Sequence, residues 1–152
     1  MPATHPPAEH RSRQHSQGAA FAAAFARLIA VEGGYVNDGC EDIAWRSVAV
    51  AEELFEAGVN CGVTRVAMWL QRTLNALNDS ASRWPDLMMD GRVGPVTLAA
   101  LFQSLARSGG EQVILAALNS LQGEHYIALA ERRPKDERFV WGWLAHRVQV
   151  PR

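Results

Sequence analysis

Neither sign of charge is in excess along this chain of 152 residues. Fifteen basic side chains stand against 16 acidic ones, for a formal charge of −1. No global field draws nucleic acid or an anionic membrane surface, and no helix face is basic enough for a DNA-binding reading. Lysine is nearly absent, Lys135 being the single one. Cysteine is scarce too. Cys40 and Cys61 are the only two, which excludes a disulfide framework and leaves no Cys or His spacing that resembles a zinc site. Neither metal nor cofactor is expected. A bridge between the two cysteines stays open for an oxidising compartment, and Cys61, in an apolar helical context, reads as a small core residue. No apolar run reaches the about 18 residues that a membrane span requires. Residues 19–31 come nearest, but Arg27 interrupts them and no convincing cleavage site follows, so they do not read as a signal peptide.

What is present is helical periodicity. Hydrophobic residues make up 48% of the chain and charged ones 20%, the balance of a soluble globular domain. Residues 1–17, with Pro2, Pro6, Pro7 and the scattered His5, His10 and His15, have little to bury and read as a disordered tail. A first helix is predicted from Gln17 to the paired glycines at 33 and 34, with Phe21, Phe25, Leu28 and Ile29 on one face. A second is predicted over Ser47 to Ala57, capped by Ser47, with Val48, Ala51, Leu54 and Phe55 inward. Thr64 to Asn78 is the clearest helix, capped by Thr64 and lined by Val66, Trp69, Leu70, Thr73, Leu74 and Leu77. A turn-rich stretch follows, and a fourth helix starts at Pro95, where the missing N–H is harmless, and stops at Gly109 and Gly110. Glu111 to Arg133 reads as one long helix, with Gly123 tolerated inside it as a place for another helix to approach closely. Pro134 ends that helix, and a last one runs from about Asp136 to Val148, burying Phe139, Val140, Trp143 and Leu144. Clean period-two alternation is confined to short pieces around Met88 to Val93, so the fold class is all-α, about six helices with room for one tiny hairpin.

Chemistry enters at Glu32. A carboxylate in the last turn of a helix faces the negative end of the helix dipole, which disfavours ionisation and suits a general acid. The same position also suits a solvated glutamate ahead of a glycine stop. Asp90-Gly91 turns tightly, and Gly94-Pro95 presets a helix start whose free N–H groups either meet a polar ligand or simply make a sound loop-to-helix junction. Trp69, Trp141 and Trp143, at helical spacing, are expected in the core. Trp45 and Trp84, outside the helical patterns, are the candidates for an exposed platform.

Several segments in order resemble one family. Glu32-Gly33-Gly34-Tyr35-Val36-Asn37-Asp38 is similar to the start of the phage and prophage N-acetylmuramidases of glycoside hydrolase family 108. Phe55 to Gly62, followed by Trp69-Leu70-Gln71-Arg72, resembles the opening of that family's C-terminal predicted peptidoglycan-binding region. Asp90-Gly91-Arg92-Val93-Gly94-Pro95-Val96-Thr97 resembles its turn into the next helix, and Tyr126, Arg132 or Arg133, Phe139, Gly142-Trp143-Leu144 and Arg147-Val148 resemble its tail. The resemblance spans about residues 20 to 148. It implies a lysozyme-like endolysin that cleaves the β-1,4 bond between N-acetylmuramic acid and N-acetylglucosamine, with Glu32 as catalytic acid and Tyr35, Asn37, Asp38, Asn60 and Asp90 as substrate contacts. It further implies a monomer, made in the cytoplasm, that acts at the cell wall with a holin or other release factor as partner. Residues 18–46 are then what remains of the muramidase N-terminal part, and 47–149 a helical binding region packed with it.

The sequence also departs from that pattern. The family follows its Glu-Gly-Gly-Tyr segment with a proline-aspartate turn and several tens of residues before the next helix. Here Asp38 leads almost directly through Gly39, Cys40 and Glu41 to that helix. The block would form one wall of the cleft and place the attacking water. Glycoside hydrolysis needs a second carboxylate or its equivalent, and only Asp38, Glu41 and Asp42 lie near. The alternative expectation is therefore a wall-binding or phage structural protein that has lost catalysis.

Overall fold

The computed structural model describes residues 46–148. The predicted tail, the 17–33 helix, Glu32, Tyr35, Asn37, Asp38, Cys40 and Trp45 lie outside that range. Five α-helices and one short 3-10 turn make up the described residues: α1 (Val48–Cys61), α2 (Val63–Leu77), α3 (Pro95–Leu105), α4 (Gly110–Arg132), the turn Pro134–Asp136, and α5 (Glu137–Arg147). No strand occurs among them, so the Met88–Val93 piece is irregular chain and not a hairpin. The all-α expectation holds, and the fold is consistent with a lysozyme-like helical domain.

Ser47 starts α1 as expected. Its Oγ accepts a hydrogen bond from Val50 N at 3.0 Å, satisfying one of the N–H groups that a helix start leaves unpaired. The same hydroxyl donates to Glu111 Oε2 at 2.7 Å, in the first turn of α4. Farther along, Asn119 hydrogen-bonds the Glu53 carboxyl, and Cys61 Sγ lies 3.7 Å from Tyr126 Oη. Partners advance together on both helices, so α1 and α4 run parallel with their N-termini at one end. Glu111 therefore sits where both helix dipoles favour a negative charge.

α1 runs one turn past its predicted end. Nothing in Gly58-Val59-Asn60 breaks it, and the stop is Gly62, whose φ of 93° is open to glycine at no steric cost. Gly62 also begins α2, because Val66 N donates to its carbonyl at 3.2 Å. Thr64 is consequently inside α2 and does not cap it. α3 opens on Pro95 as predicted, but it ends at Leu105, short of the paired glycines.

The core joins Leu54, Leu70, Leu74, Leu101, Ile114 and Leu118, each 2% exposed or less. Burial of each such side chain is worth about 1.5–3 kcal/mol. Val48 departs from expectation: it is 42% exposed, and Val50 takes the inward position. The last helix departs further, since α5 buries no residue fully. Val140, Trp143 and Leu144 are half-buried against α4, while Phe139 is 44% exposed. α5 is a lid laid along one flank of α4, not a core helix. Gly123 lies under that flank, where an added Cβ would meet Leu144 and Val148 at 3.8 Å, ordinary van der Waals contact. The approach of α5 does not require a glycine there.

The α1–α4 seam is partly polar. Glu53, Asn119 and Gln122 are all buried in it, and Glu53 Oε1 has no hydrogen-bond partner. Burial pushes the Glu53 carboxyl from 4.5 up to about 7, with the Asn119 hydrogen bond working against the shift and the Glu56 charge adding to it. At low pH this group is neutral in both the folded and the unfolded chain. As pH rises from 4.5 to about 7 the unfolded chain ionises first, so the fold loses stability across that interval and recovers none above it. Glu53→Gln is expected to raise the melting temperature by several degrees near neutral pH and above, and to change it little below the ordinary carboxylate range. Thermal melts across pH read this directly.

Candidate functional site

α2 carries a second, polar stripe beside its apolar one: Gln71, Asn75 and Asn78 at helical spacing. Each amide holds a different part of the loop between α2 and α3. Gln71, 1% exposed, donates through Nε2 to Asp90 Oδ1 at 2.8 Å and to Arg92 O at 2.9 Å, and its Oε1 accepts from Gly91 N at 3.0 Å. Asn75 pairs with Leu87 as one peptide pairs with another: Nδ2 donates to Leu87 O at 2.9 Å, and Leu87 N donates to Oδ1 at 2.7 Å. Asn78 donates to Asp86 Oδ1 at 2.6 Å and accepts from Ala81 N at 3.0 Å. The loop thus borrows its hydrogen bonds from a helix face instead of from a second strand.

Asp90 is exposed, and its side chain is occupied. Oδ1 also accepts from Arg92 N at 2.8 Å, closing the Asp-Gly turn. The Gln71 hydrogen bond, and then that of Arg92, hold the Asp90 carboxyl below its ordinary value. Gly91 has φ 73°, and a Cβ there would press on Thr64 Cγ2 at 2.6 Å, so the turn accepts glycine on two separate grounds. Asn60, the other predicted contact among the described residues, is exposed in the last turn of α1, where its Nδ2 donates to Glu56 O at 2.8 Å. No hydrogen bond joins Asn60 to Asp90 among the described residues. Glu32, Tyr35, Asn37 and Asp38 lie outside them.

Two tryptophans reverse expectation, while Trp69 and Trp143 pack half-buried against the core. Trp84 is core, 5% exposed, and its Nε1 donates to Leu74 O at 3.1 Å, one of the carbonyls that the end of α2 leaves free. Trp141 is 86% exposed on the outer face of α5. Behind it an aromatic chain crosses the flank of α4. Phe139 stacks on Trp143 with ring centres 5.8 Å apart, Trp143 tilts against Tyr126 at 5.3 Å, and His125 meets the Trp69 edge at 5.6 Å. Burial, and then the neighbouring Arg65, hold the His125 pKa below the ordinary value. Tyr126 is pushed up to about 12, chiefly by burial and then by its hydrogen bond to Cys61. Burial raises the Cys61 thiol as well, leaving a free, buried, un-ionised sulfur. Among the described residues, no group of His, Cys, Asp and Glu has the arrangement of a metal site, and no helix is long and apolar enough to cross a membrane.

The described residues thus form a helical domain with a braced polar turn and an exposed tryptophan. Residues 65–148 match the family described as Predicted Peptidoglycan domain, and the chain belongs to it. No curated protein matches the chain. The match runs from α2 through α5 and includes the Gln71 brace and the Asp90-Gly91 turn; interaction with peptidoglycan, and so a place of action at the cell wall, follow from the family.

The brace was legible in principle as three amides at helical spacing beside the apolar stripe of α2. Gln71→Ala leaves the Asp90 carboxylate and the Gly91 N–H without their partner, and is expected to cost about 2 kcal/mol. The Asp90 pKa should rise toward its ordinary value in the same variant, as followed by carboxyl NMR titration.

Proposed function

We propose that the protein is a peptidoglycan hydrolase of the muramidase type, in which residues 47–149 hold the wall and Glu32 supplies the proton to the leaving oxygen of the β-1,4 bond between N-acetylmuramic acid and N-acetylglucosamine. The observation that carries this reading is the order of two features. A Glu-Gly-Gly-Tyr segment at residues 32–35 precedes a region that belongs to a peptidoglycan family. In this reading Tyr35, Asn37, Asp38, Asn60 and Asp90 border the substrate, and a holin or other release factor gives the monomeric enzyme access to the wall. Asp90 keeps one carboxylate oxygen outside the Gln71 brace, which supports a sugar or peptide N–H as its further partner.

A second reading, a wall-binding or phage structural protein without catalysis, is favoured by the short connection from Asp38 to Ser47. That connection leaves little chain for a second cleft wall. The two readings separate on purified cell walls. Glu32→Gln keeps the side-chain size and removes the transferable proton, so clearing in a zymogram should fall by about a hundredfold or more. Walls that bind the protein but never clear, with or without the substitution, select the binding protein instead.

A further inference from the structure

α5 has two unlike faces. The inner one, through Trp143, Leu144 and Val148, lies on Tyr126 and Gly123 of α4. The outer one carries Trp141, which is 86% exposed and stands on no other ring among the described residues. Its neighbours on that face are Glu137 and Arg138 one turn back and the small Ala145 one turn on, all exposed. The flat ring is left open on the helix surface. Phe139, 44% exposed, belongs to the other side of the helix, stacked on Trp143 with Arg138 over its ring at 4.6 Å.

The helix turn before Trp141 shows what kind of occupant the ring would suit. Arg138, three residues earlier, is exposed and stands beside Glu137, while Arg133 is spent on Asp136 at 2.8 Å. An open indole with a guanidinium one turn away suits a polymer that pairs sugar rings with carboxylates. Sugar rings present C–H faces that pack on an aromatic ring, and the stem peptides of peptidoglycan carry the carboxylates. We propose that the outer face of α5 is the peptidoglycan contact surface, Trp141 stacking on a sugar of the glycan strand while Arg138 meets a stem-peptide carboxylate. The proposal rests on peptidoglycan binding and not on catalysis by Glu32.

The test is co-sedimentation of the full chain with purified sacculi, together with thermal melts and sedimentation velocity. Trp141→Ala should weaken binding about tenfold, while Trp141→Phe keeps most of it and neither substitution shifts the melting temperature, because the side chain is 86% exposed. Ala145→Gln places a longer side chain one turn from the ring on the same face and should weaken binding without altering Trp141 itself. Sacculi that bind Trp141→Ala as tightly as the unaltered chain overturn the proposal and leave the family's wall binding intact. Failure of the unaltered chain to bind sacculi overturns the peptidoglycan reading itself. A dimer that dissolves on Trp141→Ala, with sacculus binding unchanged, makes this face a self-contact and also overturns the proposal.

Discussion

One helix has neighbours on most of its circumference. α4, 23 residues and about 35 Å long, packs against α1, α2, α3, the 3-10 turn and α5. A helix enclosed in this way cannot keep one apolar stripe and one polar face. Its inward positions change character along its length. Glu111 meets Ser47, Ile114 and Leu118 fill the core, Asn119 and Gln122 meet the polar seam, and Tyr126 and Gly123 receive α5. The remaining helices take their placement from this sequence of contacts. The buried amides and the Glu53 carboxyl set the longitudinal register of α1, since sliding it by one turn would bury these groups against apolar partners.

α2 performs a comparable task for the loop. Its apolar stripe belongs to the core, and the neighbouring amide stripe lays out the chain from Asn78 to Arg92. Three successive residues there, Asp79, Ser80 and Ala81, are left-handed, with φ of 56°, 54° and 63°. That conformation costs roughly 1–2 kcal/mol for each non-glycine residue. The Asn78 side chain, which accepts from Ala81 N, and the backbone bonds Ser82 N to Asp79 O and Arg83 N to Asn78 O hold the turn against that cost. The Asp90-Gly91 turn is thus fixed by a helix that does not belong to it. Disturbing the helix stripe would disturb the turn without altering any of its own residues.

Much of this was readable from the chain. Ser47 as a cap, Pro95 as a helix start, the long helix ended by Pro134, and the buried positions of α2 all follow from local rules that the structure obeys. The misreadings share a cause, because each depended on a partner distant in sequence. Trp84 sits in a turn-rich, proline-marked stretch that reads as surface, yet it is held by a carbonyl ten residues earlier. Trp141 has the spacing of a core residue, but among the described residues α5 packs chiefly on α4, by its other face. Glu53 carries no local mark of burial in Glu52-Glu53-Leu54-Phe55-Glu56, and it is the packing of α4 that buries it. Of the predicted site, Asn60 and Asp90 could be placed, and their hydrogen bonds run to the protein's own backbone and side chains.

The parallel pairing of α1 with α4 has a consequence in time. Two antiparallel helices joined by a short turn can meet as soon as both exist, but a parallel pair needs the whole intervening chain to be carried back. Ser47 and Glu111 are 64 residues apart, and Cys61 and Tyr126 are 65. During synthesis from the N-terminus, α1 therefore emerges with its inward face uncovered and waits while α2, the braced loop and α3 are made. Closing so large a loop is slow compared with forming the helices themselves. Through that interval Val50, Leu54 and Ala57 are open to solvent and to other chains, which makes the newborn α1 the segment where association between incomplete copies would begin.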